Sequence, residues 1–417
     1  MPRATLQSSH GFMRSRTQTC CVSSTVADHL DTDLRSRYHD QVLLNSCEEP
    51  LPAGVATQMA ISADHTQQTV PSDLSSALPQ HRLLLAIPAL CALAYPSLSS
   101  LLAAGLVAAH GSPAPNGAIV WVGVVGSLAL GLAVMGVSFA FGYMLASRDG
   151  ATGGDLRGRS IAHLAFATPS LYVGFANVAG VFHAQAALLA AWIIFWAAMT
   201  GIALVKPGPS STGAVMGPAV HRRLAACHGI SAVLILLLFV LLHLVNHAFG
   251  FWSGAAHIAI MKTARYFYRD DMVQPALLAL IAFQVLSGAA LLRHRLTFPS
   301  DFLGTLQTMC GAYVGVFFLA HMTAVFAARH AGTDTDWNWL TNNDTTMLVS
   351  LFNLRLIAHY WVGPIALITH LACGLRMVLL QHELSPVLTS RLVPVFMTVG
   401  IVVSSVILVG LFAVHIG

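Results

Sequence analysis

Six histidines, His228, His243, His247, His321, His359 and His370, fall inside long apolar stretches of this chain. An imidazole at membrane depth must satisfy its polar nitrogens, so each is a candidate for function. Hydrogen-bonded packing between helices is the plain alternative for any one of them taken alone. Their spacing says more. His243 lies 19 residues in from the expected cytoplasmic start of its stretch and His321 lies 17 residues in from that of another. At 1.5 Å per residue the two depths agree within about 3 Å. Two imidazoles at one depth on facing helices can supply both axial ligands of a low-spin haem, an arrangement suited to electron transfer because it leaves no open iron position. His247 follows His243 by four residues on the same helical face, where it is a contact for a quinone or for the ligand itself, or else an interfacial residue.

His359 and His370 share one stretch and one face, three turns apart, roughly 16 Å along the axis. His359 falls at the depth of the His243/His321 pair, and His370 nearer the cytoplasm. At the depth of His370 the neighbouring helix offers Gln284, a poor iron ligand. His228, counted from Leu224, falls roughly 10 Å shallower. The expectation is therefore one haem b, with a second left open.

These residues need helices that cross a bilayer. The chain has 417 residues, 56% hydrophobic and 9% charged, where a soluble domain carries about 25% charged residues. Nine apolar stretches, about 83–107, 118–146, 161–181, 185–205, 224–250, 273–293, 304–329, 352–381 and 391–415, are long enough to span a core of about 30 Å. The fold class is thus all-α, a polytopic transmembrane bundle. Pro169, Asn177 and Gly180 interrupt the third stretch. The Pro- and Gly-rich run at 206–220 reads as a linker between a four-helix block (81–205) and a five-helix block (221–417). Residues 1–80 are polar and lack the pattern of a secretory signal, and read as a disordered cytoplasmic leader. Lys and Arg concentrate in alternate loops, which places the N-terminus in the cytoplasm and the C-terminus outside, as for a bacterial cytoplasmic membrane protein. This charge distribution speaks for topology and against nucleic acid. The seven cysteines have no metal-ligand spacing.

The segment HRRLAACHGISAVLILLLFVLLHLVNHAFGFWSGAAH (221–257) resembles the opening of the cytochrome b membrane anchor of succinate dehydrogenase and fumarate reductase, of the single-polypeptide five-helix type. QVLSG (284–288), AHMT (320–323) and THLACGLR (369–376) extend the resemblance over about residues 221–415. It implies that His243 and His321 ligate the outer haem and that His370 is one ligand of the inner haem. Gln284 stands where that family has the partner of His370, a departure that leaves the inner site in doubt. The resemblance also implies flavoprotein and iron-sulfur subunits on the cytoplasmic side and a quinone in the bilayer, the chain itself being a non-catalytic electron-transfer subunit. Arg222, Arg223, Arg293 and Arg376 are expected to meet haem propionates or an acidic partner, or simply to set topology.

Two features lie outside the resemblance. No Asp or Glu falls inside a stretch, and the first four helices have no counterpart. His163 and His183 in that block are expected to be packing or interfacial residues. Two other functions stay open: a cytochrome b of another membrane oxidoreductase, such as a hydrogenase or formate dehydrogenase, and a haem-free transporter or scaffold.

Overall fold

In hydrocarbon every backbone N–H and C=O must be satisfied without water, and for uniformly apolar stretches of 20 or more residues, too long for barrel strands, the helix does this. The computed structural model describes residues 78–110, 118–148, 152–205, 215–341 and 353–412. The leader at 1–77 and most of the linker, 206–214, lie outside the described residues. The helices, in chain order, are α1 (Leu78–His110), α2 (Ala118–Ala146), α3 (Gly153–Phe166), α4 (Thr168–Val181), α5 (Leu188–Leu204), α6 (Pro218–Ile235), α7 (Leu241–Trp252), α8 (Gly254–Tyr268), α9 (Val273–Arg295), α10 (Phe302–His330), α11 (Trp337–Thr341), α12 (Leu354–Gln381) and α13 (Pro386–Leu411). Among the described residues eight helical segments are long and apolar enough to cross a membrane, α6 and α7 forming one of them. The bundle is all-α.

The third stretch is broken. α3 and α4 meet at an angle of 70° around Ala167, and they count as a ninth span only if taken together. Pro169 sits in the first turn of α4, where its missing N–H costs nothing but its ring blocks continuation of the preceding turn. α3 is capped by Thr152 and Asp155 in a reciprocal box.

The two blocks share their cores. One buried cluster joins Leu106, Val124 and Val173 of the first block to Ala320, Ile357 and Leu408 of the second. Another joins Ala162 and Phe166 to Met309, Tyr313 and Val362. A third, around Trp192 and Trp196, stays within the first block. The two blocks are therefore packed as one unit.

α6 and α7 continue each other through a π turn at Leu236–Val240. His228 and His243 are 15 residues apart, which on an unbroken α-helix leaves them about 60° out of phase. Five residues at the wider π spacing, roughly 80° each, bring them to within about 40° of one face. The insertion is local, yet it brings two histidines nearer one face of one long helix.

Candidate functional site

Among the described residues, α6 and α7 pack on α9, α13 and α8, and make no extended contact with α10 or α12. α10 carries His321 and α12 carries His370, so the histidines approach each other between helices that make no extended contact. All four, His228, His243, His321 and His370, keep part of their surface accessible. His359 does not, at 1% exposure.

The outer pair is His243 and His321, with ring centroids 6.1 Å apart and planes at 71°. Phe239 stacks on His243 at 4.9 Å, and Phe317 lies parallel to His321 at 5.7 Å. The matched depths thus correspond to a real approach. His247 is 4.5 Å from His243. It leads on to His257 of α8 at 5.1 Å, and Asn246 meets Nε2 of His257 at 3.1 Å. Trp337 closes this end at 4.6 Å from His257. Gly250 and Gly254 admit its indole, which a Cβ at either position would meet. Burial, then the nearby His243 and Arg265, push the His257 pKa down to about 4.

The inner pair corrects the sequence expectation. His228 and His370 stand with centroids 6.4 Å apart and planes at 89°. The depth of His228 was misjudged because α6 begins at Pro218, not at Leu224. Counted from the observed helix ends, His228 is 10 residues in from Pro218 and His370 is 11 in from Gln381. The charged His221-Arg222-Arg223 run is helical, which a reading by hydropathy alone excludes.

Each inner ring is held by its Nδ1. His370 Nδ1 lies 2.8 Å from the Gln307 carbonyl, which can only accept, so Nδ1 carries the proton. Ser287 Oγ donates to the Phe283 carbonyl at 2.6 Å and therefore accepts from His228 Nδ1 at 2.8 Å. Both Nε2 atoms are left with a free lone pair. That is the tautomer a metal needs, fixed by the hydrogen bonds that usually support ligand histidines. Glycine makes the fit. A Cβ at Gly311 would lie 2.7 Å from His370 Cε1, and one at Gly288 would lie 3.3 Å from His228 Cε1.

Gln284, expected opposite His370, instead donates Nε2 to the His228 carbonyl at 3.0 Å. It braces the helix at His228. His359, expected at the depth of the outer pair, bonds Ser170 Oγ through Nδ1 at 3.0 Å and packs on Phe317 at 4.6 Å. It has no open side on which an iron would sit.

One heptad from His228 and Ser287, towards the N-terminal end of α6 and the C-terminal end of α9, lie His221 and His294, with rings 4.6 Å apart. Nδ1 of His294 is buried without a partner, and Arg295 is its chain neighbour. Of the arginines expected here, Arg222, Arg223 and Arg293 are exposed, and Arg376 donates Nε to Ser390 Oγ at 3.1 Å. His163 is a packing residue, bonded to the Arg159 carbonyl and to Thr308. His183 sits in the left-handed region, φ 52°, at an exposed turn. Sequence reading passed over Ser287, Gln307, Gly288 and Gly311. The seven-residue steps from His221 to His228 and from Ser287 to His294 were the available signal.

Two imidazoles each bonded through a nitrogen at about 2.1 Å to one iron place their ring centres roughly 6–6.5 Å apart. Both observed separations fall in that window. Among the described residues no three His, Cys, Asp or Glu side chains are grouped to hold a metal ion, so an iron on either pair requires its remaining bonds from a macrocycle. Comparison with protein-family models, curated proteins and solved structures finds no match.

Proposed function

We propose that this chain is a dihaem cytochrome b, the membrane anchor of a succinate dehydrogenase or fumarate reductase type complex, passing electrons between cytoplasmic flavoprotein and iron-sulfur subunits and a membrane quinone. The observation that carries the reading is the presence of two histidine pairs, 6.1 and 6.4 Å apart, on one face of α6–α7. His228 and His370 would hold the inner haem b, and His243 and His321 the outer. When bound, such a bis-histidine haem exchanges single electrons and has no open position for oxygen.

The chain's own part is placement. Gln307 and Ser287 hold the inner imidazoles with Nε2 free. Gly311 and Gly288 give the inner rings room. The gap between α6–α7 and α10–α12 supplies width. Arg295, beside the neutral His221/His294 ring pair, supplies a charge suited to propionates, since a carboxylate there gains charge-assisted hydrogen bonds. The basic loops support a cytoplasmic face at that end, where soluble partners would dock.

Reduced-minus-oxidised spectra and pyridine haemochrome quantitation of the purified chain test this reading. Two haems b per chain are expected. A chain purified without haem, under haem-sufficient expression, refutes it.

A further inference from the structure

The four-helix block has no counterpart in the resembling family, yet it is tied to the five-helix block by a polar seam. Arg159 donates to the Leu296 and Phe298 carbonyls at 2.6 and 2.8 Å. His163 meets Thr308 at 2.9 Å, Ser170 meets His359 at 3.0 Å, and Asn177 donates to the Ala320 carbonyl at 2.8 Å. Four residues, then seven, then seven separate these positions. Each bond crosses to α9–α12 or the loops between them, and none is needed to satisfy α3 or α4 internally.

The outer two bonds converge on one residue. Asn177 grips the carbonyl of Ala320, the residue before His321. α4 comes close to α10 here, since a Cβ at Gly174 would stand in van der Waals contact with the Ala320 Cβ at 3.5 Å. Ser170 fixes His359, whose ring packs on Phe317 at 4.6 Å. Phe317 in turn lies within 8° of parallel to the His321 ring. The backbone and the ring plane of His321 are thus both referred to α4.

We infer that Ser170 and Asn177 are positioning residues for the outer haem ligand His321, a role for the N-terminal block that rests on the dihaem reading. An axial imidazole is free to rotate about its Cβ–Cγ bond unless its faces are packed. Its plane relative to the second imidazole sets the rhombicity of low-spin iron, and so its EPR spectrum. A stacked Phe317, itself backed by a hydrogen-bonded His359, removes that freedom. The inner pair has no such link to α4, so the effect is confined to one haem.

The test uses the full chain with Ser170→Ala and Asn177→Ala, and with His163→Gln as a break in the same seam away from His321. Potentiometric titration followed by EPR resolves the two haems. The expected result is two haems retained, with the lowest-field g value and the midpoint potential of the outer haem displaced in Ser170→Ala and Asn177→Ala. The inner haem keeps its position, and His163→Gln leaves the outer signal in place. If the polar variants do not accumulate, Phe317→Leu tests the same chain and should displace the same signal. Two haem signals unchanged in Ser170→Ala and Asn177→Ala, or both displaced alike, overturn the positioning role and leave the dihaem reading standing. A wild-type chain without haem overturns that reading first, and the inference with it.

Discussion

His228 and His370 face one another at 6.4 Å across the gap between α6 and α12, each anchored through Nδ1 to an oxygen of another helix, Ser287 on α9 and Gln307 on α10. Four helices therefore define one pair of imidazoles. Such a pair is expensive to build from residues that serve only as packing, since each buried polar ring needs its own partners.

The first prediction is a matter of counting. On the proposed dihaem reading, replacing His228 or His370 by Ala should lower haem content from two per chain to one, and so should replacing His243 or His321. The residual haem differs between the two sets in its EPR signal. Equal loss of both haems from every variant would show that the pairs do not act as separate sites.

Gly311 offers a test that touches no ligand. Gly311→Ala places a Cβ 2.7 Å from Cε1 and 2.9 Å from Nδ1 of His370, closer than van der Waals contact permits, so the ring must turn away from its carbonyl partner. Loss or spectral change of the inner haem alone is expected. A wild-type spectrum in this variant argues against the close approach of α10 to His370.

Arg295 follows His294, whose ring pairs with His221 one heptad from His228, and it is the charged residue of that layer, with Asp301 close enough to act on it. A positive charge about 10 Å from an iron, at an effective dielectric of 20, favours the reduced state by on the order of 1–2 kcal/mol, or tens of millivolts. Arg295→Gln should lower the midpoint potential of the inner haem by that order and leave the outer haem alone. Equal shifts of the two haems would place the arginine elsewhere.

The outer cap carries a pH dependence. His257 is held neutral, its pKa pushed down to about 4 chiefly by burial, whereas in an unfolded segment it titrates near about 6.5. The native state binds fewer protons between those values. Its contribution to stability is therefore complete above about pH 6.5 and is lost as pH falls towards 4. Thermal unfolding of wild type and His257→Gln across pH 7.5 to 4 should diverge below about 6.5, with the wild type falling more steeply. Parallel curves would mean that His257 is not the responsible group.

Topology follows from exposed loop positions. His382 and Thr333 are both exposed and lie at opposite ends of the bundle, after α12 and after α10. Single-cysteine variants at these positions, in a chain whose accessible native cysteines are replaced, should label from opposite sides, His382→Cys from the cytoplasm and Thr333→Cys from outside. The reverse pattern would move the docking face for soluble partners to the other membrane surface.

Composition and hydropathy alone determined that this is an all-α membrane bundle, because its apolar runs are too long and too uniformly apolar for barrel strands, which leaves the helix as the way to satisfy the backbone. They also located nearly every span, and the shared depth of His243 and His321 predicted that the two rings meet. Three things were decided only by tertiary structure. The partner of His370 depended on where α6 begins, and hydropathy places a helix start at the edge of the apolar run although His221, Arg222 and Arg223 are already helical. The phase of His228 against His243 depended on a π turn within an unbroken Leu-rich run, which carries no residue-level mark. The use of His359 and Gln284 depended on Ser170 and on the His228 carbonyl, partners 189 and 56 positions away in the chain. Depth along a helix is additive and can be counted from sequence; which neighbour a side chain meets is a property of packing, and packing is settled by the whole bundle at once.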